Sequence, residues 1–148
     1  NPQWRHFANG QEALVIFEGP HAYISPSWYD TKLAVPTWNY VAVHAYGKPE
    51  TVEDPDRLST LINTTVGQYE SGLDEPWQPE LPEDFRDGLL KAIVGFEIPI
   101  TRMEGKFKLS QNRTEADITA TITALKAGTD PIDRQLADWM ERHGIGNA

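Results

Sequence analysis

Residues 36–47 read Pro-Thr-Trp-Asn-Tyr-Val-Ala-Val-His-Ala-Tyr-Gly. Successive side chains of a strand point to opposite faces. Trp38, Tyr40, His44 and Tyr46 therefore share one side, and Asn39, Val41, Val43 and Ala45 share the other. The second side is small and apolar; the first is large, aromatic and polar at its tips. Upstream, Ala13-Leu14-Val15-Ile16-Phe17 is an apolar run too short for a stable helix and closed by Glu18-Gly19-Pro20, which predicts a strand buried on both faces. From Pro20 to Ser25, His21, Tyr23 and Ser25 alternate with Ala22 and Ile24, which predicts a second strand joined to the first by a hairpin through Glu18-Gly19. Ser25 to Lys32, with its proline, serines and aspartate, reads as a turn.

Downstream, Asp54-Pro55 caps a helix in which Leu58, Leu61, Ile62, Thr65, Val66 and Tyr69 recur at three-and-four spacing. Residues 71–82, with Pro76, Pro79 and Pro82, read as a surface loop. Phe85, Leu89, Leu90, Ile93 and Val94 predict a shorter helix ended by Gly95. Residues 96–103 alternate as a strand whose Pro99 demands an edge or a bulge, and Glu104-Gly105 predicts a hairpin into residues 106–110. Thr114 and Asp117 form a capping-box pattern before Ile118, Ile122 and Leu125, with Gly128 as the stop. Asp130-Pro131 opens a last helix with Ile132, Leu136, Trp139 and Met140 inward and Gly144 as its end. Antiparallel strands with helices set aside define an α+β barrel or sheet rather than a parallel doubly wound fold. One domain over residues 1–148 is expected, with C-terminal helices at about 114–143. A closed small barrel needs more strands than these five. The first residue is Asn1, not Met, so a strand-bearing segment is expected to precede it.

The 148 residues carry 13 Lys and Arg against 22 Asp and Glu, a net charge of −9, which makes direct DNA binding through phosphate contacts doubtful. Zero cysteines exclude disulfides, thiolate metal sites and cysteine nucleophiles, and fit a reducing cytoplasm. No apolar run approaches the roughly 20 residues of a membrane span. The acceptor patterns at Asn63 and Asn112 are read as unmodified, since no export signal accompanies them. No glycine-rich phosphate loop, HExxH pair or nucleophile elbow occurs, and the four histidines are scattered, so no metal site is expected and no catalytic residue is assigned. What rises above background is the grouping of Tyr23, Trp28, Tyr29, Trp38, Tyr40 and Tyr46 with His21, His44 and Lys32. Such rings make a wall for stacking a planar ligand, or else pack a core or subunit interface. Ser25, Ser27, Thr31 and Lys32 suit a phosphate as well as they suit a turn. Arg102, Lys106, Lys108 and Arg113 form a basic stretch that draws an anion or guards a hairpin edge.

Four motifs together resemble the PaiB family of FMN-binding negative transcriptional regulators: Asn1 to Arg5, Gly19 to Tyr29, Val35 to Gly47 and Lys108 to Arg113. The resemblance covers nearly the whole chain. It implies a flavin-binding split barrel, a homodimer with FMN at the subunit interface, and an N-terminal section carrying the first barrel strands and a phosphate-contacting loop. Carried over by motif, Ser25, Ser27, Trp28, Tyr29, Lys32, Trp38, Asn39, Tyr40 and His44 belong to the flavin environment. Ser110, Gln111, Asn112 and Arg113 stand where related barrels bring a final strand against the cofactor. The implied function is transcriptional regulation through flavin or redox sensing. The alternatives are a flavin-dependent oxidoreductase, with Tyr40 and His44 as candidate proton donors, and a haem protein using His21 or His44 as axial ligand. A cofactor-free interaction module is the remaining one.

Overall fold

The computed structural model describes residues 2–78 and 81–143. In chain order it contains β1 (Ala13–Ile24), β2 (Thr37–Gly47), β3 (Glu50–Val52), α1 (Pro55–Glu70), α2 (Glu83–Leu90), β4 (Gly95–Glu97), β5 (Ile100–Lys108), α3 (Glu115–Ala127) and α4 (Pro131–His143). Short 3-10 helices occupy Gln3–Asn9 and Pro26–Trp28. The strands form two antiparallel sheets, ordered β1-β2-β5 and β3-β4, and no closed barrel exists among the described residues. The chain divides into two compact units, residues 1–13 with 46–101 and residues 14–45 with 102–148.

The second unit holds the core. Ala22 and Ile24 of β1, Val41 of β2, Leu109, and Ile118, Ile122, Leu125, Leu136, Ala137 and Met140 of α3 and α4 form one buried apolar cluster. The alternation read in β2 holds for Asn39, Val41 and Ala45, which are buried, against exposed Trp38 and half-buried Tyr40, His44 and Tyr46, but Val43 on the inner face is only half-buried. Burying each large aliphatic side chain contributes about 1.5–3 kcal/mol, which is why this face decides stability. Thr114 caps α3, its Oγ1 accepting from the Asp117 amide at 3.2 Å, and Asp130 caps α4 by accepting from the Ile132 amide at 2.8 Å. On α4, Leu136 and Met140 point inward as expected, Trp139 is half-buried against Phe107, but Ile132 is exposed. The expected stop at Gly144 lies outside the described residues.

Two expected hairpins are absent. Residues 13–24 are one continuous strand, and Leu14, Ile16 and Phe17 are 45%, 50% and 59% exposed rather than buried on both faces. Gly19 serves close approach instead of turning: a Cβ there would sit 3.1 Å from the Val41 Cβ on the adjacent strand. Likewise β5 runs straight through Glu104-Gly105.

In the first unit, Asp54 caps α1 by accepting from the Asp56 amide at 3.0 Å, with Pro55 at the first helical position. No residue of α1 or α2 is fully buried. Leu58, Leu61, Ile62 and Val66 are half-buried, and Phe7 lies on Phe96 with ring centroids 5.2 Å apart. Pro99 interrupts the ladder, so β4 stops at Glu97 and β5 restarts at Ile100. β4 pairs with β3 through Thr51 opposite Phe96.

Candidate functional site

The side chains left outside the core define the site. On the outer face of β1 and β2, His21 and Tyr23 set their rings edge-on to Trp38, at centroid distances of 5.8 and 6.3 Å. Trp38 is 50% exposed and Tyr23 52%, so the platform is open to a ligand. Beside it lies a groove of about 390 Å³ lined by Ile16, Glu18, His21, Trp38, Tyr40 and His44, among others. That volume falls within the range of small-molecule sites, and the lining combines apolar walls with a few polar tips.

Trp28 and Tyr29 leave this wall. Trp28 packs against the core, and Tyr29 is buried, with the Arg113 guanidinium 4.7 Å from its ring centroid. Its phenolic oxygen is buried and has no hydrogen-bond partner among the described residues. Tyr46 belongs to the first unit. Ser25 and Ser27 bond each other through their hydroxyls at 2.7 Å, Ser25 capping the 3-10 turn that carries Trp28.

Asn39 and Ser110 meet behind the wall. The Asn39 amide donates to Ser110 Oγ at 2.8 Å and approaches Met140 Sδ at 3.5 Å, all three within the buried interior. Ser110 takes a left-handed backbone conformation, φ 63°, which is uncommon for a residue with a side chain and is held here by its pair with Asn39. Gln111 latches its own loop, accepting from the Leu109 amide at 2.8 Å and donating to the Phe107 carbonyl at 2.7 Å. Asn112 is exposed.

The basic stretch is divided among several roles. Arg102 pairs with Glu104, and Lys108 Nζ donates to Thr37 Oγ1 at 2.5 Å. Arg113 instead shares a pocket of about 420 Å³ with Lys32, Leu33, Ala34 and Val35. Among the described residues neither Lys32 nor Arg113 forms an ion pair, in a chain of net charge −9.

Asp117, which the sequence marks only as part of a helix cap, bonds the two residues that precede Lys32. Asp117 is 1% exposed; its Oδ1 accepts from the Asp30 amide at 2.9 Å and its Oδ2 from the Thr31 hydroxyl at 3.0 Å. Burial pushes its carboxyl up. Bonds from the Thr31 hydroxyl, the Asp30 amide, Thr114 and the Thr31 amide outweigh that and hold it below the ordinary carboxylate value. No group of three or more His, Asp or Glu among the described residues is placed to hold a metal ion. No helix among them is long and apolar enough to cross a membrane.

Comparison with known proteins places the chain in a family. Residues 1–102 match the family described as "Putative FMN-binding domain". The chain is 43% identical to "Protease synthase and sporulation protein PAI 2" of Bacillus subtilis, an alignment spanning 95% of this chain and 68% of that protein. The chain belongs to the PaiB family of FMN-binding proteins. An uncharacterized protein of Emericella nidulans is 39% identical and one of Aspergillus fumigatus 38%, each alignment covering 80% of this chain and 54% of the fungal protein. The chain thus spans about two thirds of the Bacillus PaiB protein and about half of the fungal ones. The groove, the aromatic platform and Lys32 all fall inside the family match, whereas Arg113 and Asp117 lie beyond it.

FMN is the cofactor of this family, and the residues present fit it. A planar ring needs an exposed aromatic platform with polar edges, which Trp38, His21, Tyr40 and His44, lining one groove, would supply. A phosphate dianion needs cations not already spent on carboxylates, and Lys32 with Arg113, which share one pocket, would supply them. Val35 and Trp38 stand three positions apart, at most about 11 Å of chain. That span is comparable to a ribityl phosphate tail.

Proposed function

We propose that this chain is a flavin-responsive regulator of the PaiB type, holding FMN with its ring on the Trp38 platform and its phosphate toward Lys32 and Arg113. The observation that carries the reading is the open groove lined by His21, Trp38, Tyr40 and His44 on the outer face of the central sheet. Asn39 and Ser110 support this face from behind, and Ser25, Ser27, Trp28, Tyr29, Gln111 and Asn112 shape the adjoining loops. The working assembly is a homodimer of split barrels with FMN at the subunit interface, acting in the cytoplasm. When bound, FMN supplies reversible hydride and electron chemistry. This chain's own residues bind and orient it, and the occupancy or redox state of the site is the signal. The net charge of −9 favours a regulatory role exercised without autonomous DNA binding.

A second reading is favoured by Tyr40 and His44 lining the same groove, which places two proton-carrying side chains beside the ring. On this reading the protein is a flavin-dependent oxidoreductase. Titration of the protein with FMN, followed by flavin fluorescence and absorbance, tests both: saturable quenching with broad blue bands supports a flavin site, and a sharp Soret band in protein as purified would replace flavin by haem. Nicotinamide oxidation by the FMN-loaded protein favours the enzyme, and its absence favours the regulator.

A further inference from the structure

We infer that Asp117 is a positioning residue that holds the two cations of the Lys32–Arg113 pocket in register for a phosphate group. This rests on the flavin reading above. The carboxylate accepts from the Asp30 amide and the Thr31 hydroxyl, and the amide of the same residue donates to Thr114 Oγ1. Thr31 immediately precedes Lys32, and Thr114 immediately follows Arg113. One buried residue, by its carboxylate on one side and its backbone amide on the other, therefore ties together the two chain segments from which the pocket's cations project. The pocket is otherwise bounded by Leu33, Ala34 and Val35, which offer no hydrogen-bonding side chain to fix its width. Leu33 and Val35 are themselves exposed, so packing does little to hold this loop.

A charged acceptor with two donors at 2.9 and 3.0 Å is a strong restraint on the loop. Bidentate or paired recognition of a phosphate requires cations at fixed separation, and a loop free to drift loses part of that advantage before contact. The inferred role is selective: it concerns the phosphate end of the cofactor and not the ring on the Trp38 platform.

The test compares FMN with riboflavin, which lacks the phosphate, by fluorescence titration of the full chain. Five proteins are needed: the wild type, Asp117→Asn, Thr31→Val, Lys32→Ala and the Asp117→Asn/Lys32→Ala double variant. Lys32→Ala should weaken FMN and leave riboflavin unchanged. Asp117→Asn should raise the FMN dissociation constant about fivefold and Thr31→Val about twofold, with riboflavin unchanged, as loss of charge-assisted bonds predicts. Asp117→Asn should add little in the Lys32→Ala background, because both act on one contact. Should Asp117→Asn not fold, Thr31→Val carries the test, since Thr31 is exposed. If Lys32→Ala lowers FMN preference while Asp117→Asn or Thr31→Val does not, Asp117 has only a structural role and the inference fails alone. If wild type and Lys32→Ala both bind FMN and riboflavin equally, the placement of the phosphate itself is wrong.

Discussion

The two faces of β2 have the same backbone and opposite tasks. Toward the helices stand Asn39, Val41 and Ala45, buried with Leu136 and Met140. Away from them stand Trp38, Tyr40 and His44, which line an open groove. Neighbouring positions thus belong to different problems. The inner set excludes water and fixes the strand, while the outer set keeps aromatic area exposed, at a hydrophobic cost that an isolated surface would not select. Stability and cofactor binding should accordingly separate between residues adjacent in sequence.

The largest effect should come from the inner face. Leu136→Ala removes a fully buried side chain and should cost about 2–5 kcal/mol in chemical denaturation, while the folded fraction retains its FMN affinity. Asn39→Ala leaves Ser110 without its buried partner and should cost about 2–3 kcal/mol. A selective loss of FMN affinity in that variant, without loss of stability, would erase the distinction between the faces. On the outer face, Trp38→Ala should weaken FMN about tenfold or more, as lost stacking area implies, with stability changed by less than about 1 kcal/mol. Equal affinity in Trp38→Ala would place the ring elsewhere.

Asp117 sharpens the comparison through pH. Its native pKa lies below the ordinary carboxylate value of 3.8, so its contribution is present above that value and is lost as pH falls through the lowered native one. The stability gap between wild type and Asp117→Asn should be full at neutral pH and close in strong acid. A gap that persists at the lowest pH would mean that shape, not charge, sets the contribution. The smallest effects should be those of Tyr40→Phe and His44→Gln, each below about fivefold on FMN binding, as loss of one polar contact at a half-buried position implies. A large loss of nicotinamide turnover in either variant would move the balance toward the enzyme.

The period-2 pattern of β2 was legible because its faces differ so sharply in size and polarity. The caps at Asp54 and Thr114 were legible because they involve neighbours in sequence. Gly19 and Gly105 misled: glycine marks both turns and places where strands pass, and only the packing of Gly19 on Val41 tells them apart. The β3-β4 pair spans three residues on each side, too few for a periodic signal. Nearness in sequence groups Trp28 and Tyr29 with the wall, but the 3-10 turn at Pro26–Trp28 diverts them toward the core. Asp117 carried a visible signal, the Thr114-to-Asp117 spacing, yet its carboxylate reaches Asp30 and Thr31, a contact no local pattern records.

The central claim is that FMN rests on the outer face of β1 and β2. Chemical-shift mapping of the isotope-labelled protein with added FMN tests it most directly. We expect the largest shifts at the Trp38 indole N–H and the His21 and His44 rings, with the Trp77 and Trp139 indoles unmoved. Shifts concentrated instead around the α1–α2 groove of the first unit, lined by Leu58, Arg86 and Leu90, with Trp38 silent, would contradict the account.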